Sequence, residues 1–265
     1  MLDKRKYGPW ALVIGGSEGL GVSFARQIAA AGINLVLVAR KEGPLGEAAA
    51  IVRAEYPAIE VRTLSLDMTS DDIVDRIRSV TDDIEVGLLV YNAGAAHIMG
   101  RFLDLPLSDA MRIIHLNVVG QTKLCHHFGR EMVARRRGGI ILFGSMAQIA
   151  GSFGVIAYSG AKSFSQMFAE GLWAEVRDLG VDVVHIPLGS FKTPSMERIL
   201  LIHGSTDFDS QVRDLLDNIG NGPVYVDPPN REMFKAFGAM PRDEAALLKK
   251  SQMVKLPGLE GPWED

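Results

Sequence analysis

The stretch Ala11-Leu12-Val13-Ile14-Gly15-Gly16-Ser17-Glu18-Gly19-Leu20-Gly21 decides how the rest of the chain is read. Four apolar residues in a row suit a strand buried on both faces, as the inner strands of parallel sheets are. The glycines after them let the backbone turn sharply and approach a ligand closely. A helical pattern over 21–31 follows, and a helix start offers unpaired N–H groups and the positive end of its dipole. That order of strand, glycine turn and helix is what a pyrophosphate-binding loop requires. The spacing here is G-x-x-x-G-x-G and not G-x-G-x-x-G. A glycine loop alone is equally a tight turn, but its place after the first strand of an alternating pattern favours the nucleotide reading.

Outward from the loop, short β-branched runs alternate with longer segments of helical period, the pattern of a parallel sheet with helices on both faces. Strands are expected over 11–14, 35–39, 61–65, 86–91, 140–143, 181–186 and 224–226, and helices over 21–31, 45–56, 70–81, 108–136, 155–179 and 209–219. The result is an α/β fold, a doubly wound, seven-stranded parallel sheet. Gly32, Pro57, Gly138 and Gly180 follow helices, and Ser70 stands where it would cap one. No linker or fixed repeat interrupts this alternation, so residues 1–227 read as a single domain. From Asp227-Pro228-Pro229 the character changes to a polar helical stretch and a Pro/Gly-rich end, and 228–265 reads as an extension packed on or beyond that domain.

Composition narrows the function. At 265 residues, 47% hydrophobic and 23% charged, the chain is neither disordered nor a membrane bundle. A net charge of −4 supplies no field for gripping nucleic acid or an anionic membrane. The apolar runs fall far short of the roughly 20 residues of a membrane helix. The run after Trp10 stops at Gly15 without a cleavage pattern, so no signal peptide is expected. The single cysteine, Cys125, can form neither an internal disulfide nor a Cys-rich metal site, which suits the cytoplasm. His126 and His127 are adjacent and H-E-x-x-H is absent, so no metal site is expected. Gly144-Ser145-Met146-Ala147 is not the G-x-S-x-G elbow of a serine hydrolase. Arg135-Arg136-Arg137 reads as a solvated helix end.

The second expected strand ends at Ala39-Arg40, where an acidic residue would bind the adenosine ribose 2′-hydroxyl. A guanidinium there favours a 2′-phosphate instead, and hence NADP(H) over NAD(H). Glu18 in the loop opposes that preference if it points inward, and the plain alternative for Arg40 is an exposed cation. Further on, Tyr158 and Lys162 stand at i and i+4 of a helix, on one face. A free phenol, with a pKa of about 10, is a poor acid–base catalyst at neutral pH, and a neighbouring ammonium lowers it. The pair by itself is often a solvated helix face. It gains force from Ser145, 13 residues before Tyr158 at the end of a strand, on the sheet edge where the glycine loop lies.

With these residues in order, the chain resembles a short-chain dehydrogenase/reductase of the short, single-domain, Rossmann-like kind over roughly residues 8–226. The resemblance rests on the glycine loop, Asp67, Asn92-Ala93-Gly94, Asn117, Ser145, Tyr158, Lys162, Gly189 and Thr193. It implies that Tyr158 exchanges a proton with the substrate oxygen and Ser145 hydrogen-bonds that oxygen. Lys162 would hold the ribose and lower the Tyr158 pKa, and Asn117 would hold a water joining Lys162 to solvent. The implied cofactor contacts are Gly15, Ser17, Glu18, Gly19, Leu20 and Gly21 of the loop, Arg40, Asp67, Met68, Asn92, Ala93, Gly94, Tyr158, Lys162, Leu188, Gly189 and Thr193. Ala95, Met146, Ile149, Val155, Leu188 and Met196 would border a mainly apolar substrate pocket.

Three residues depart from the family's pattern: Ile14 in place of Thr, Tyr91 in place of Asn, and Leu188 in place of Pro. The resemblance also implies a homodimer or homotetramer. The function expected is hydride transfer between NADP(H) and a ketone or secondary alcohol on an apolar small molecule. A non-catalytic sensor or scaffold, and an epimerase or dehydratase on the same fold, are the alternatives. The stretch 194–220 suits either a lid over the substrate or a core-packed helix.

Overall fold

The computed structural model describes residues 2–94, 98–189 and 208–255. Strands β1 (Trp10–Ile14) and β4 (Val86–Tyr91) lie side by side in a six-stranded parallel sheet ordered β3-β2-β1-β4-β5-β6. Its other members are β2 (Asn34–Ala39), β3 (Val61–Ser65), β5 (Gly138–Ser145) and β6 (Val181–Leu188). Every residue of β1 and β4 is buried, whereas edge strand β3 buries only Val61. Ile14 pairs with Val38 on one side and Tyr91 on the other. Strand order reverses between β1 and β4, so a crevice opens beyond their carboxyl ends, the usual ligand site of such sheets.

Helices cover both faces. On one face Phe24 and Ile28 of α2 (Leu20–Ala30), Leu45 and Val52 of α3 (Glu42–Glu55), and Val212 and Leu216 of α8 (Phe208–Asp217) pack on the sheet. On the other are Ile73 and Ile77 of α4 (Ile73–Arg78), Leu124, Phe128 and Met132 of α6 (Gly120–Ala134), and Ala169 and Val176 of α7 (Ile156–Val176). Each large side chain so buried stabilises the fold by about 1.5–3 kcal/mol. A short N-terminal turn, α1 (Lys4–Tyr7), precedes β1, and α5 (Leu107–Ile114) precedes α6. After Val226 the chain forms α9 (Arg231–Ala239) and α10 (Arg242–Met253). Among the described residues no helix is long and apolar enough to cross a membrane.

The expected seventh strand is reduced to a single bridge, His185 opposite Val224. His185 N–H donates to Pro223 O at 2.7 Å and Tyr225 N–H donates to His185 O at 2.9 Å. The next donors on either side of that bridge would be Pro223 and Pro187, and neither has an N–H, so the ladder cannot lengthen. The third helix begins at Ile73 behind Asp72, not at Ser70, whose N–H closes a turn onto Asp67 O. The helix expected over 108–136 is broken by a π-turn, His115–Val119. The three arginines follow the helix end, with Arg136 exposed and Arg135 and Arg137 half-buried, and each also bonds a distant main chain. Arg135 donates to Val86 O, Arg136 to Asp178 O at 3.0 Å and Arg137 to Arg5 O at 3.0 Å.

Of the stretch expected to be lid or core helix, 194–207 lies outside the described residues. Its remainder, α8, is docked: Asp209 accepts from Ser23 Oγ at 2.6 Å and from Arg26 at 2.8 Å.

Candidate active site

The glycine loop turns as its residues require. Gly15 (φ 82°) and Gly19 (φ 54°) occupy backbone conformations that other residues avoid. A Cβ on Gly15 would lie 2.9 Å from Ala93 N, and one on Gly21 2.0 Å from Gly15 O. Asn92 fastens the two central strand ends by donating its Nδ2 to Gly15 O at 3.1 Å. Gly19 offers no side chain to cap α2, and the Gly21 N–H donates to Glu18 O at 3.1 Å. This cradle fits a pyrophosphate. Ser17 and Glu18 lie on the loop, while the Leu20 side chain is buried in the core and can offer only its main chain.

At the far end of the crevice Asp67 lies between two guanidiniums, with its Oδ2 4.0 Å from Arg40 and 3.6 Å from Arg112. Partial burial raises its pKa, but hydrogen bonds from the Thr69 amide and hydroxyl, with Arg112 and Arg40 nearby, outweigh this and hold it below the usual carboxylate value. Arg40 is half-exposed. Arg112 is a second cation at this place that the sequence reading missed, because α5 lies far from β2 along the chain. The Met68 side chain packs in the core, leaving only its backbone toward the crevice.

Ser145 ends β5, and Tyr158 and Lys162 project from α7. The Ser145 side chain, whose Oγ accepts from Ala147 N–H at 3.1 Å, stands beside the Tyr158 phenol. Lys162 is buried, with Nζ donating to Phe143 O at 2.8 Å and standing 5.6 Å from the Tyr158 ring centre. Burial raises the Tyr158 pKa, with the neighbouring Ser145 hydroxyl pulling against it, and lowers that of Lys162 to about 7. Desolvation dominates the Tyr158 shift, so its direction is upward, opposite to the lowering expected from Lys162.

Asn117 sits in the π-turn, donating Nδ2 to Ile113 O at 3.0 Å, while its buried Oδ1 has no hydrogen-bond partner. Gly94 faces both side chains: a Cβ there would stand 2.2 Å from Asn117 Oδ1 and 2.9 Å from Lys162 Nζ. Glycine loop, Asn92-Ala93-Gly94 turn, Asn117 and the Ser145–Tyr158–Lys162 group thus converge at one sheet edge.

On the substrate side Met146 and Ile149 are buried against Phe237 and Ala245 of the C-terminal helices, and Arg242 donates to Ile149 O at 3.1 Å. Val155 is buried at the start of α7. Leu188 ends β6, and Gly189 lies so near Asn230 that a Cβ would come within 2.4 Å of its amide. Ala95, Thr193 and Met196 lie outside the described residues.

Sequence reasoning also missed Tyr91, Gln148 and His185. Tyr91 donates its hydroxyl to Leu116 O at 2.7 Å and so braces the π-turn; a Cβ on Gly120 would sit 2.4 Å from that hydroxyl. The only signal was Tyr91 departing from the family's pattern.

The short chain dehydrogenase family model matches residues 9–200. The 7β-hydroxysteroid dehydrogenase of Collinsella aerofaciens is 33% identical over 193 residues, 73% of each chain. A very-long-chain 3-oxoacyl-CoA reductase of Neurospora crassa is 33% identical over 226 residues, 82% of this chain and 67% of that one. A short-chain dehydrogenase from Sphingobium yanoikuyae, solved in complex with NADPH, superposes with a TM-score of 0.77 at 26% identity, covering 96% of this chain and 98% of that one. The chain belongs to the short-chain dehydrogenase/reductase family, as an NAD(P)-dependent oxidoreductase acting on CH–OH groups.

Proposed function

We propose that the protein reduces a ketone on an apolar small molecule to the secondary alcohol, with NADP(H) as cofactor. The observation that carries this is the Ser145 side chain beside the Tyr158 phenol, with Lys162 buried one turn further along α7. When bound, the nicotinamide nucleotide supplies the hydride. Tyr158 gives its hydroxyl proton to the carbonyl oxygen, and Ser145 Oγ donates a hydrogen bond that holds the same oxygen. Lys162 would hold the ribose hydroxyls, and Asn117 Oδ1, which has no hydrogen-bond partner, would accept from a water that returns protons toward Lys162 from solvent. Burial keeps the phenol protonated at neutral pH, the state that reduction needs.

A scaffold that only binds nucleotide has no use for Ser145 and Tyr158 set side by side, since both act on the substrate oxygen. Arg40 at the end of β2 supports NADP(H) through a charge-assisted bond to the 2′-phosphate, with the Arg112 guanidinium as a second cation 3.6 Å from Asp67. We read 1–227 as the catalytic unit, with the extension walling its substrate side through Phe237 and Ala245. The lone buried thiol of Cys125, its pKa pushed up to about 12 by burial, suits the cytoplasm.

The test is a panel of ketones, including a 7-oxo steroid, a 3-oxoacyl-CoA thioester and an aromatic ketone, followed by nicotinamide absorbance with NADPH and NADH. Net NADPH oxidation with an apolar ketone is expected. Conversion without net redox change would favour an epimerase or dehydratase, and no conversion at all the scaffold.

We also propose a homo-oligomer, dimer or tetramer, built through α5 and α7. Leu107, Met111, Ile156, Phe164 and Met167 are exposed on these helices, and a Cβ on Gly160 or Gly171 of α7 would meet nothing within 4 Å. Such a face suits close helix packing by a second copy. Sedimentation at micromolar concentration should show no monomer, and a stable monomer would refute the interface.

A further inference from the structure

Behind Ser145 lies a chain of buried polar groups that no step of the reaction uses. Gln148 is buried in the 3₁₀ turn Met146–Ile149, and its Oε1 accepts the Ser145 N–H at 3.1 Å. The same Oε1 is 3.1 Å from Nε2 of His185, a fully buried residue of β6. A backbone N–H can only donate, so the group facing it is the amide oxygen, and His185 must carry its proton on Nε2. His185 Nδ1 is then an acceptor, 3.3 Å from Ser165 Oγ, which in turn lies 3.0 Å from the Gln121 amide. On its other side Gln148 Nε2 donates to Gln166 Oε1 at 2.5 Å, and Gln166 Nε2 donates to Glu170 at 2.7 Å. Gly144 leaves the space for this meeting: a Cβ there would lie 2.1 Å from Gln148 Oε1 and 2.2 Å from His185 Nε2.

We propose that His185 is a positioning residue for Ser145, acting through Gln148: its Nε2–H donates to the amide oxygen that also accepts the Ser145 N–H. Free of His185, the Gln148 side chain has other rotamers and the strand-to-turn junction at Ser145 loosens. Held by it, Gln148 fixes the Ser145 backbone and so the direction of Oγ toward the substrate oxygen. The inference rests on Ser145 being the group that holds that oxygen.

The test compares His185→Gln, whose amide N–H reaches the place of Nε2, with His185→Asn, whose amide reaches only the place of Nδ1. With NADPH and the ketone that the panel shows to be reduced, kcat should fall about 10- to 100-fold in His185→Asn, as misplacement of a reacting group does. KM should change little, and His185→Gln should recover most of the loss. Gln148→Leu should lose about as much as His185→Asn, and the double variant no more than either, because the two act as one unit. Amide hydrogen exchange at Ser145 in the free protein should quicken in His185→Asn and not in His185→Gln.

Equal losses in the Gln and Asn variants, additive losses in the double variant, or unchanged exchange at Ser145 would reduce His185 to a packing residue and overturn the proposal. Exchange needs no turnover, so it decides this inference even if the wild-type protein reduces none of the ketones and the proposed function fails.

Discussion

Replacing Tyr158 by Phe is expected to lower kcat for ketone reduction by roughly 100- to 10,000-fold, the usual contribution of a positioned general acid. That range corresponds to about 3 to 5 kcal/mol of barrier. The variant keeps the ring and removes the phenol oxygen that stands beside Ser145. The glycine loop lies on α2 and β1, apart from this change, so the dissociation constant of NADPH, read by nicotinamide fluorescence, should stay within a few-fold of wild type. The pH dependence follows from the direction of the shift. Burial raises the folded-state pKa of the phenol, so reduction, which needs the proton, holds at neutral pH and falls only as the solution becomes alkaline. Oxidation of the alcohol needs the phenolate and should rise over the same range. A Tyr158→Phe protein that retained most of its kcat would remove Tyr158 from the reaction and return the site to nucleotide binding alone.

The second large effect is expected at Arg40. A guanidinium that meets a 2′-phosphate contributes about 1.5–3 kcal/mol through charge-assisted hydrogen bonds. Arg40→Asp removes that attraction and adds a repelling carboxylate beside Asp67, so NADPH should bind roughly 100-fold more weakly or worse. NADH, which offers a hydroxyl in place of the phosphate, should bind as well as before or better, since a carboxylate accepts from a ribose hydroxyl. Arg112, 3.6 Å from the same Asp67, would hold part of the NADPH affinity, so Arg112→Ala should show a smaller loss in the same sense. Paired titrations with the two cofactors check this. Equal losses for NADPH and NADH would show that Arg40 supports the strand end without reading the phosphate.

Local pattern made much of this legible. The run from Ala11 to Ile14 is apolar at every position because β1 is buried on both faces, and the glycines after it are where φ turns positive. Arg40 was readable because a strand end fixes where its next side chain stands, and Tyr158 with Lys162 because one helical turn puts them on one face. The seventh strand was misjudged because Val224 to Val226 has strand character by itself. The decisive residues there are Pro187 and Pro223, and their effect exists only once β6 and this segment lie side by side.

What the sequence determined alone, therefore, is the order of the main strands and helices, the glycine turn after β1 and the residues proposed for chemistry. All of these depend on spacings within one element or one turn. The tertiary structure decided what depends on neighbours far apart in the chain. It brought Gly94 between Asn117 and Lys162, and desolvated Tyr158 and Lys162 together so that their pKa values move against the expected pairing. It interrupted a long helix with a π-turn held by Tyr91, and set Arg112 beside Asp67. It also set His185, 40 residues beyond Ser145 in the chain, against the Gln148 amide that holds Ser145. Burial and hydrogen-bond partnership are properties of a packed interior, and no periodicity along a single strand or helix encodes which distant side chain completes them.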